Sequence, residues 1–214
     1  MASPRPDAAD AAPILLTGFE PFGGDDSNPS WRIAQALHGQ RIEGVRVESV
    51  CLPTVFGAAN TALRAAVLRH RPQLVLCLGL AANRGEMSIE RVAINVDDAR
   101  IPDNAGASPI DEPVIAGAPA AYFSRLPIKA IVAALHEAGL PAAVSQTAGT
   151  FVCNHVFFGL MHLLRRRPGL RGGFLHVPSE QTLALDDQVR AVRLVLATAL
   201  QADTDRHLAG GAIS

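Results

Sequence analysis

The stretch GTFVCNH, residues 149–155, places a cysteine where a cysteine can be reactive. A strand-like run, AAVSQT, precedes it, and the helical pattern FVCNHVFFGLMHLLRR contains it, so Cys153 falls in the first turn of a helix. Unpaired N–H groups and the helix dipole favour a thiolate there. The competing reading makes Cys153 a small buried hydrophobe, as Cys77 is within LVLCLG. A nucleophilic thiol also needs a base. His155 is two residues away, and side chains at i and i+2 of a helix point to different faces, so it is expected to bond a backbone group or pack near the site. His176, in FLHVP, ends the strand that follows the cysteine's helix. A right-handed parallel crossover lays that strand beside the one leading into Cys153, which makes His176 the expected base.

A carboxylate should orient the imidazole. Glu90 in SIERVAIN alternates with Val92 and Ile94, so it either shares an apolar face and needs a partner there or lies on an edge strand and reaches water. Asp97, Asp98 and Asp103 compete, but they sit in turn-like sequence where aspartates bond their own backbone. Arg100, beside them, is either a structural bridge or a donor to a developing oxyanion. His136-Glu137 begins a zinc-peptidase pattern but lacks its second histidine, so no metal and no cofactor are expected.

The loop LLTGFEPFGGDDSNPSW, residues 15–31, joins an apolar run to a helix start, a layout that often holds phosphate. Gly18 and Gly23 have P-loop spacing, yet Gly24-Asp25 replaces the Lys-Ser/Thr pair. Phe19 and Phe22 in that loop either plug the core or line an apolar pocket.

The elements that must position these residues alternate between strand-length apolar runs and longer helical periods. That pattern predicts a single α/β domain over 13–204, with a twisted, mainly parallel sheet between helices, a disordered 1–12 tail and a 205–214 tail. Asn28-Pro29 starts a helix as cap and first-turn proline, Thr54 caps a second, and SIERVAINVDDA reads as one strand followed by a long loop. With 49% hydrophobic and 18% charged residues, the 214-residue chain is expected to be compact and soluble. A net charge of −1 gives it nothing to attract nucleic acid. The cluster RRRPGLR caps the C-terminal end of a helix. No signal peptide and no membrane span are expected, and Cys51, Cys77 and Cys153 should be free thiols in the cytoplasm.

Taken together, LLTGFEPFGG with NPSW, ERVAINVDDARIPDN, PAAYFSRLPIKAIV, TAGTFVCNH and GFLHVP resemble pyroglutamyl-peptidase I, the pyrrolidone-carboxylate peptidase family of cytosolic cysteine peptidases. The resemblance runs from about Ile14 to Pro178. It implies a phosphorylase/hydrolase-like α/β fold and a homotetramer or dimer that acts on peptides with N-terminal pyroglutamate, independent of nucleic acid and membrane. It puts the catalytic cysteine, histidine and glutamate on Cys153, His176 and Glu90, and a pyroglutamyl pocket on Phe19, Phe22, Phe151 and Val152. It also departs from the family. Gly79-Leu80-Ala81-Ala82-Asn83-Arg84 stands where relatives often have Gly-Gln-Ala-Gly-Gly-Arg, so Leu80 replaces a pocket glutamine, and the segment after Pro178 is shortened to Ser179-Glu180-Gln181. Two rival readings are a nucleoside phosphorylase or hydrolase and a non-catalytic binder of pyroglutamyl peptides.

Overall fold

In the computed structural model, which describes residues 11–202 and 204–211, the apolar runs lie as strands edge to edge and the amphipathic segments cover both faces. In chain order the elements are β1 (Ile14–Phe19), α1 (Pro29–Leu37), β2 (Arg41–Ile42), β3 (Val45–Leu52), α2 (Ala58–His70), β4 (Leu74–Leu80) and β5 (Met87–Glu90). There follow β6 (Val92–Ile94), β7 (Ala121–Phe123), α3 (Ile128–Glu137), β8 (Ala142–Ser145), α4 (Val152–Leu164), β9 (Arg171–Val177) and α5 (Leu185–Gln201). Seven strands form one sheet in the order β2-β3-β1-β4-β9-β5-β8, and β6 pairs with β7 in a separate ribbon. The result is a single α/β domain with a mostly parallel, mixed sheet.

Side-chain alternation along the strands builds two cores. Leu74, Leu76 and Leu78 of β4 with Leu175 and Val177 of β9 face α1, α3 and α5, meeting Ile33, Ile131 and Val192. Val75 and Cys77 of β4 with Phe174 of β9 face α2 and α4, meeting Leu63, Phe157 and Phe158. Each fully buried phenylalanine contributes roughly 1.5–3 kcal/mol. The parity matters for function, because Gly79 and His176 continue the second series and therefore face α4.

Several local expectations hold. Asn28 caps α1, its Oδ1 accepting from the Ser30 N–H at 3.1 Å, with Pro29 in the first turn. Gly18 lets β1 and α1 meet, since a Cβ there would lie 2.4 Å from the Ser30 carbonyl oxygen. Others do not hold. Thr54 does not cap α2, which begins after Gly57; its hydroxyl donates instead to the Glu20 carbonyl at 3.1 Å. SIERVAINVDDA is not one strand. The chain leaves the main sheet at Arg91, whose N–H donates to Ser145 O while its carbonyl accepts from the Ser124 N–H, and β6 continues in the ribbon.

The expected crossover also fails. β9 does not lie beside β8, because β5 is inserted between them, and both β5 and β8 run against β9. Periodicity reports burial and carries no record of strand direction, so this insertion is invisible in the pattern. Residues 1–10 of the expected 1–12 tail lie outside the described residues. The described part of 205–214 is docked. Asp205 accepts from the N–H groups of Lys129 and Ala130, capping α3 from 75 residues away, and the Gly210 carbonyl accepts from Arg91 Nη2 at 2.7 Å. Among the described residues no helix is long and apolar enough to cross a membrane.

Candidate active site

Cys153 is the second residue of α4, in a first turn that has no side-chain cap, so N–H groups there are left for another acceptor. Its sulfur reaches towards β4. A Cβ built on Gly79 would come within 2.8 Å of Cys153 Sγ and 2.8 Å of the Phe174 ring. Gly79 in turn pairs across the ladder with His176, whose ring centroid is 4.9 Å from that of Phe174. Thiol and imidazole thus meet above the end of β4, and both line one cleft of about 620 Å³.

The imidazole is held from behind. His176 Nδ1 lies 2.7 Å from Glu90 Oε1, with the carboxylate fully buried and the histidine 4% exposed. An ionised carboxylate only accepts, so the proton sits on Nδ1 and leaves a lone pair on Nε2. Glu90 belongs to β5, the strand inserted beside β9, and this insertion sets the carboxylate against the ring.

One electrostatic expectation is reversed. Burial, and after it the charge of Glu90, push the Cys153 thiol up to about 12, and the pull of Arg84 in the other direction is smaller. The helix start alone does not make a resting thiolate here. Such a thiol becomes nucleophilic by giving its proton to a neighbouring base as it attacks. Cys77 is pushed up to about 12 by burial as well and is a core residue, as expected.

The apolar half of the site comes from the ends of β1 and β4, the loop after β1 and the start of α4. Phe22, Leu80 and Phe151 line the cleft with Cys153, and an adjoining slot of about 10 Å³ is walled by Phe19, Phe22, Leu80, Phe151 and Val152, with Asn28 and Thr54. Phe19 and Phe22 therefore do both things: Phe19 is 2% exposed and packs on Phe174, while Phe22 faces Phe151 at 6.2 Å between centroids. Glu20 fixes this loop, with Oε1 accepting from the Thr54 N–H and Asn104 Nδ2 and its carbonyl accepting from Asn28 Nδ2. The polar atoms of Asn28 are committed to the loop.

The remaining candidates separate cleanly. Asp97 does not bond its own turn but pairs with His155, Oδ2 to Nδ1 at 2.7 Å. His155 Nε2 accepts from the Gly57 N–H, so that ring is a bracket between α4, α2 and the long loop, outside the cleft. Asp103 behaves as turn aspartates do, taking the N–H groups of Ala105 and Ala107, and it adds that of Phe56. Asp98 donates its N–H to the Thr150 carbonyl, accepts the Thr150 hydroxyl on its own carbonyl, and sits at the cleft rim with Arg100. Among the described residues Arg100 has no hydrogen bond or ion pair, and it lines the cleft. Sequence reasoning passed over Arg84, which lines the cleft and bonds Glu90 Oε1 at 2.7 Å. The available signal was its place in the loop after β4, where strand ends carry sites. A larger cleft, about 700 Å³ along α2 and α4, contains neither Cys153 nor His176.

Gly79→Ala tests how tightly sulfur and ring are packed. The added methyl must displace Sγ or Phe174, and a misplacement of about 1 Å costs roughly 100-fold in kcat/KM. Steady-state kinetics beside a melting curve check this; full activity in Gly79→Ala would show that the sulfur has room to spare.

Comparison with known proteins agrees with this geometry. A sequence profile described as pyroglutamyl peptidase matches residues 12–204. The chain is 53% identical over 209 residues to a pyrrolidone-carboxylate peptidase of Erwinia tasmaniensis, covering 93% of this chain and 98% of that one. It is likewise 53% identical over 210 residues to that of Chromobacterium violaceum, covering 94% and 98%. Among solved structures it is similar to pyroglutamyl peptidase I of Bacillus amyloliquefaciens, with a TM-score of 0.90 at 44% identity and coverage of 93% and 100%. Pyrrolidone carboxyl peptidase of Thermococcus litoralis gives a TM-score of 0.85 at 36% identity, with coverage of 88% and 93%. With a profile spanning nearly the whole chain and relatives above half identity, the chain belongs to the pyroglutamyl peptidase family.

Proposed function

We propose that this protein removes N-terminal pyroglutamyl residues from peptides, with Cys153 as nucleophile, His176 as general base and acid, and Glu90 as the group that orients His176. The observation that carries the reading is the buried Glu90–His176 hydrogen bond opening onto the same cleft as Cys153. His176 Nε2 takes the thiol proton as sulfur attacks the carbonyl carbon that joins the ring to the next residue. The imidazolium then protonates the departing amine, the C–N bond breaks, and a thioester remains. Water attacks the thioester, His176 accepts its proton and returns it to sulfur, and free pyroglutamate leaves. The oxyanion is met by the Cys153 N–H, with Arg100 as a second donor from the rim.

The pocket explains the choice of ring. A pyroglutamyl end is a neutral lactam with no ammonium group, and the walls offered by Phe19, Phe22, Leu80, Phe151 and Val152 suit an uncharged ring. A free N-terminal glutamate, charged at both ends, would lose its hydration without recompense. Phe22 and Phe151, both half-buried, stand where the slot meets the cleft. In this reading the enzyme works in the cytoplasm, in keeping with its free Cys51, Cys77 and Cys153, and as a homo-oligomer, for which Phe123 at 71% exposure and Ile110 at 73% offer apolar surface to a second copy.

The test pairs two reporters that differ only in the first residue, pyroglutamyl-amide and glutamyl-amide. Release from the first alone is expected. No release from the pyroglutamyl reporter by fully reduced protein would overturn the proposal.

A further inference from the structure

Arg84 lies in the loop between β4 and β5 and ties two pieces of the fold together, the end of β5 and the turn that follows β8. Nη1 donates to Glu90 Oε1 at 2.7 Å and to Ser145 Oγ at 3.2 Å, while Nη2 donates to the Thr147 carbonyl at 2.8 Å. Glu90 Oε1 is also the oxygen that accepts the His176 Nδ1 proton at 2.7 Å. Glu90 Oε2 is buried and has no partner among the described residues, so both stabilising donors act on a single oxygen. The carboxylate is fully buried and the arginine side chain 24% exposed, which makes this a cation set directly against a desolvated anion.

Two consequences follow from that geometry. The fork, tied to Ser145 and Thr147, holds Glu90 Oε1 where it meets the imidazole. It also takes up part of the carboxylate's charge. A buried carboxylate facing an imidazole alone would hold the imidazolium firmly, and a histidine kept protonated cannot accept the thiol proton. We infer that Arg84 is a positioning residue of this site: it fixes Glu90 against His176 and loosens the carboxylate's hold on the imidazolium, so that the ring can act as a base. This rests on the assignment of His176 as base made above.

Arg84 is the only charged group besides His176 that bonds Glu90 among the described residues. The other titratable groups facing the pair are Cys153 from α4 and, behind it, Cys77 of β4, both thiols pushed upward. Asp98 and Arg100 stand at the rim of the same cleft and bond neither partner.

The experiment follows the His176 ring by ¹⁵N NMR across pH in the wild type, Arg84→Gln and Arg84→Lys, without substrate, beside melting curves and pH profiles of kcat/KM. Removing a unit charge two hydrogen bonds away is expected to move the ring's titration midpoint upward by about one to two pH units in Arg84→Gln. Arg84→Lys, which keeps the charge but not the fork, should stay within about half a unit of wild type. The acid limb of kcat/KM should move with the midpoint, leaving Arg84→Gln about 10–100-fold slower at pH 6 and closer to wild type at pH 9. An unmoved midpoint in Arg84→Gln, or an equal shift in Arg84→Lys, overturns the inference whatever happens to the melting temperature. Should Arg84→Gln unfold, Arg84→Lys decides alone: a kept midpoint supports the inference, and a moved one or a second unfolded variant overturns it. Because the titration needs no substrate, a wild type that leaves the pyroglutamyl reporter intact would count against the proposed function only.

Discussion

Replacing Cys153 with alanine is expected to lower kcat for pyroglutamyl-amide release by roughly 10⁴-fold or more, with the melting temperature nearly unchanged. Among the described residues that line the cleft with His176, Cys153 carries the only thiol, and without it no acyl-enzyme forms, whatever else binds the ring. Cys153→Ser should be almost as inactive. A hydroxyl is a weaker nucleophile than a thiol, and burial penalises an alkoxide as it does the Cys153 thiolate. The same burial shapes the reaction of the resting enzyme with iodoacetamide. A thiol pushed up to about 12 has little thiolate at neutral pH, so alkylation of Cys153 should be slow at pH 7 and should quicken about tenfold per pH unit into the alkaline range. Rapid, pH-independent alkylation at neutral pH would point instead to a preformed ion pair, and residual turnover in Cys153→Ala would remove the thioester route altogether.

Much of this site can be read in the sequence because its members are marked locally. Cys153 stands at a helix start that follows a strand, His176 at the end of a strand, and Phe19 and Phe22 in a glycine-bearing turn; each is a matter of a few neighbouring residues. What brings them together is not local. The Glu90–His176 bond joins residues 86 apart, and it exists because β5 is inserted antiparallel beside β9. The alternation of Glu90 with Val92 and Ile94 suggested a single strand, yet the backbone of Arg91 turns out of the sheet to satisfy Ser145 and Ser124, and nothing in the residue types announces that. The bracket of His155 between Asp97 and Gly57, the cap that Asp205 lends to α3 and the reach of Arg84 to Thr147 are of the same kind. They are polar bonds across long separations, made after the sheet order is settled, and short-range propensity has no term for them.

That dependence on sheet order makes Glu90 the sharpest test of the whole arrangement. Glu90→Gln keeps the volume of a fully buried side chain and removes its charge, so the fold should persist while the chemistry fails. If the amide turns its oxygen to His176, the ring keeps its tautomer but loses the charge that stabilises an imidazolium during attack. If it turns its NH₂ group instead, Nδ1 becomes the acceptor, the ring proton moves to Nε2, and the base no longer has a lone pair for sulfur. Either way kcat should fall by roughly 10³–10⁴-fold, with KM little changed because Glu90 does not line the ring pocket. The thiol should respond in the opposite sense. Glu90 is, after burial, the main influence holding the Cys153 thiol up, so its neutralisation lets the thiol become more acidic, and alkylation at pH 9 should speed up even as turnover collapses. A general loss of packing would also unbury the thiol and quicken alkylation, but it would lower the melting temperature. Observing both rates beside an unchanged melting temperature therefore separates an orienting carboxylate from a merely buried one.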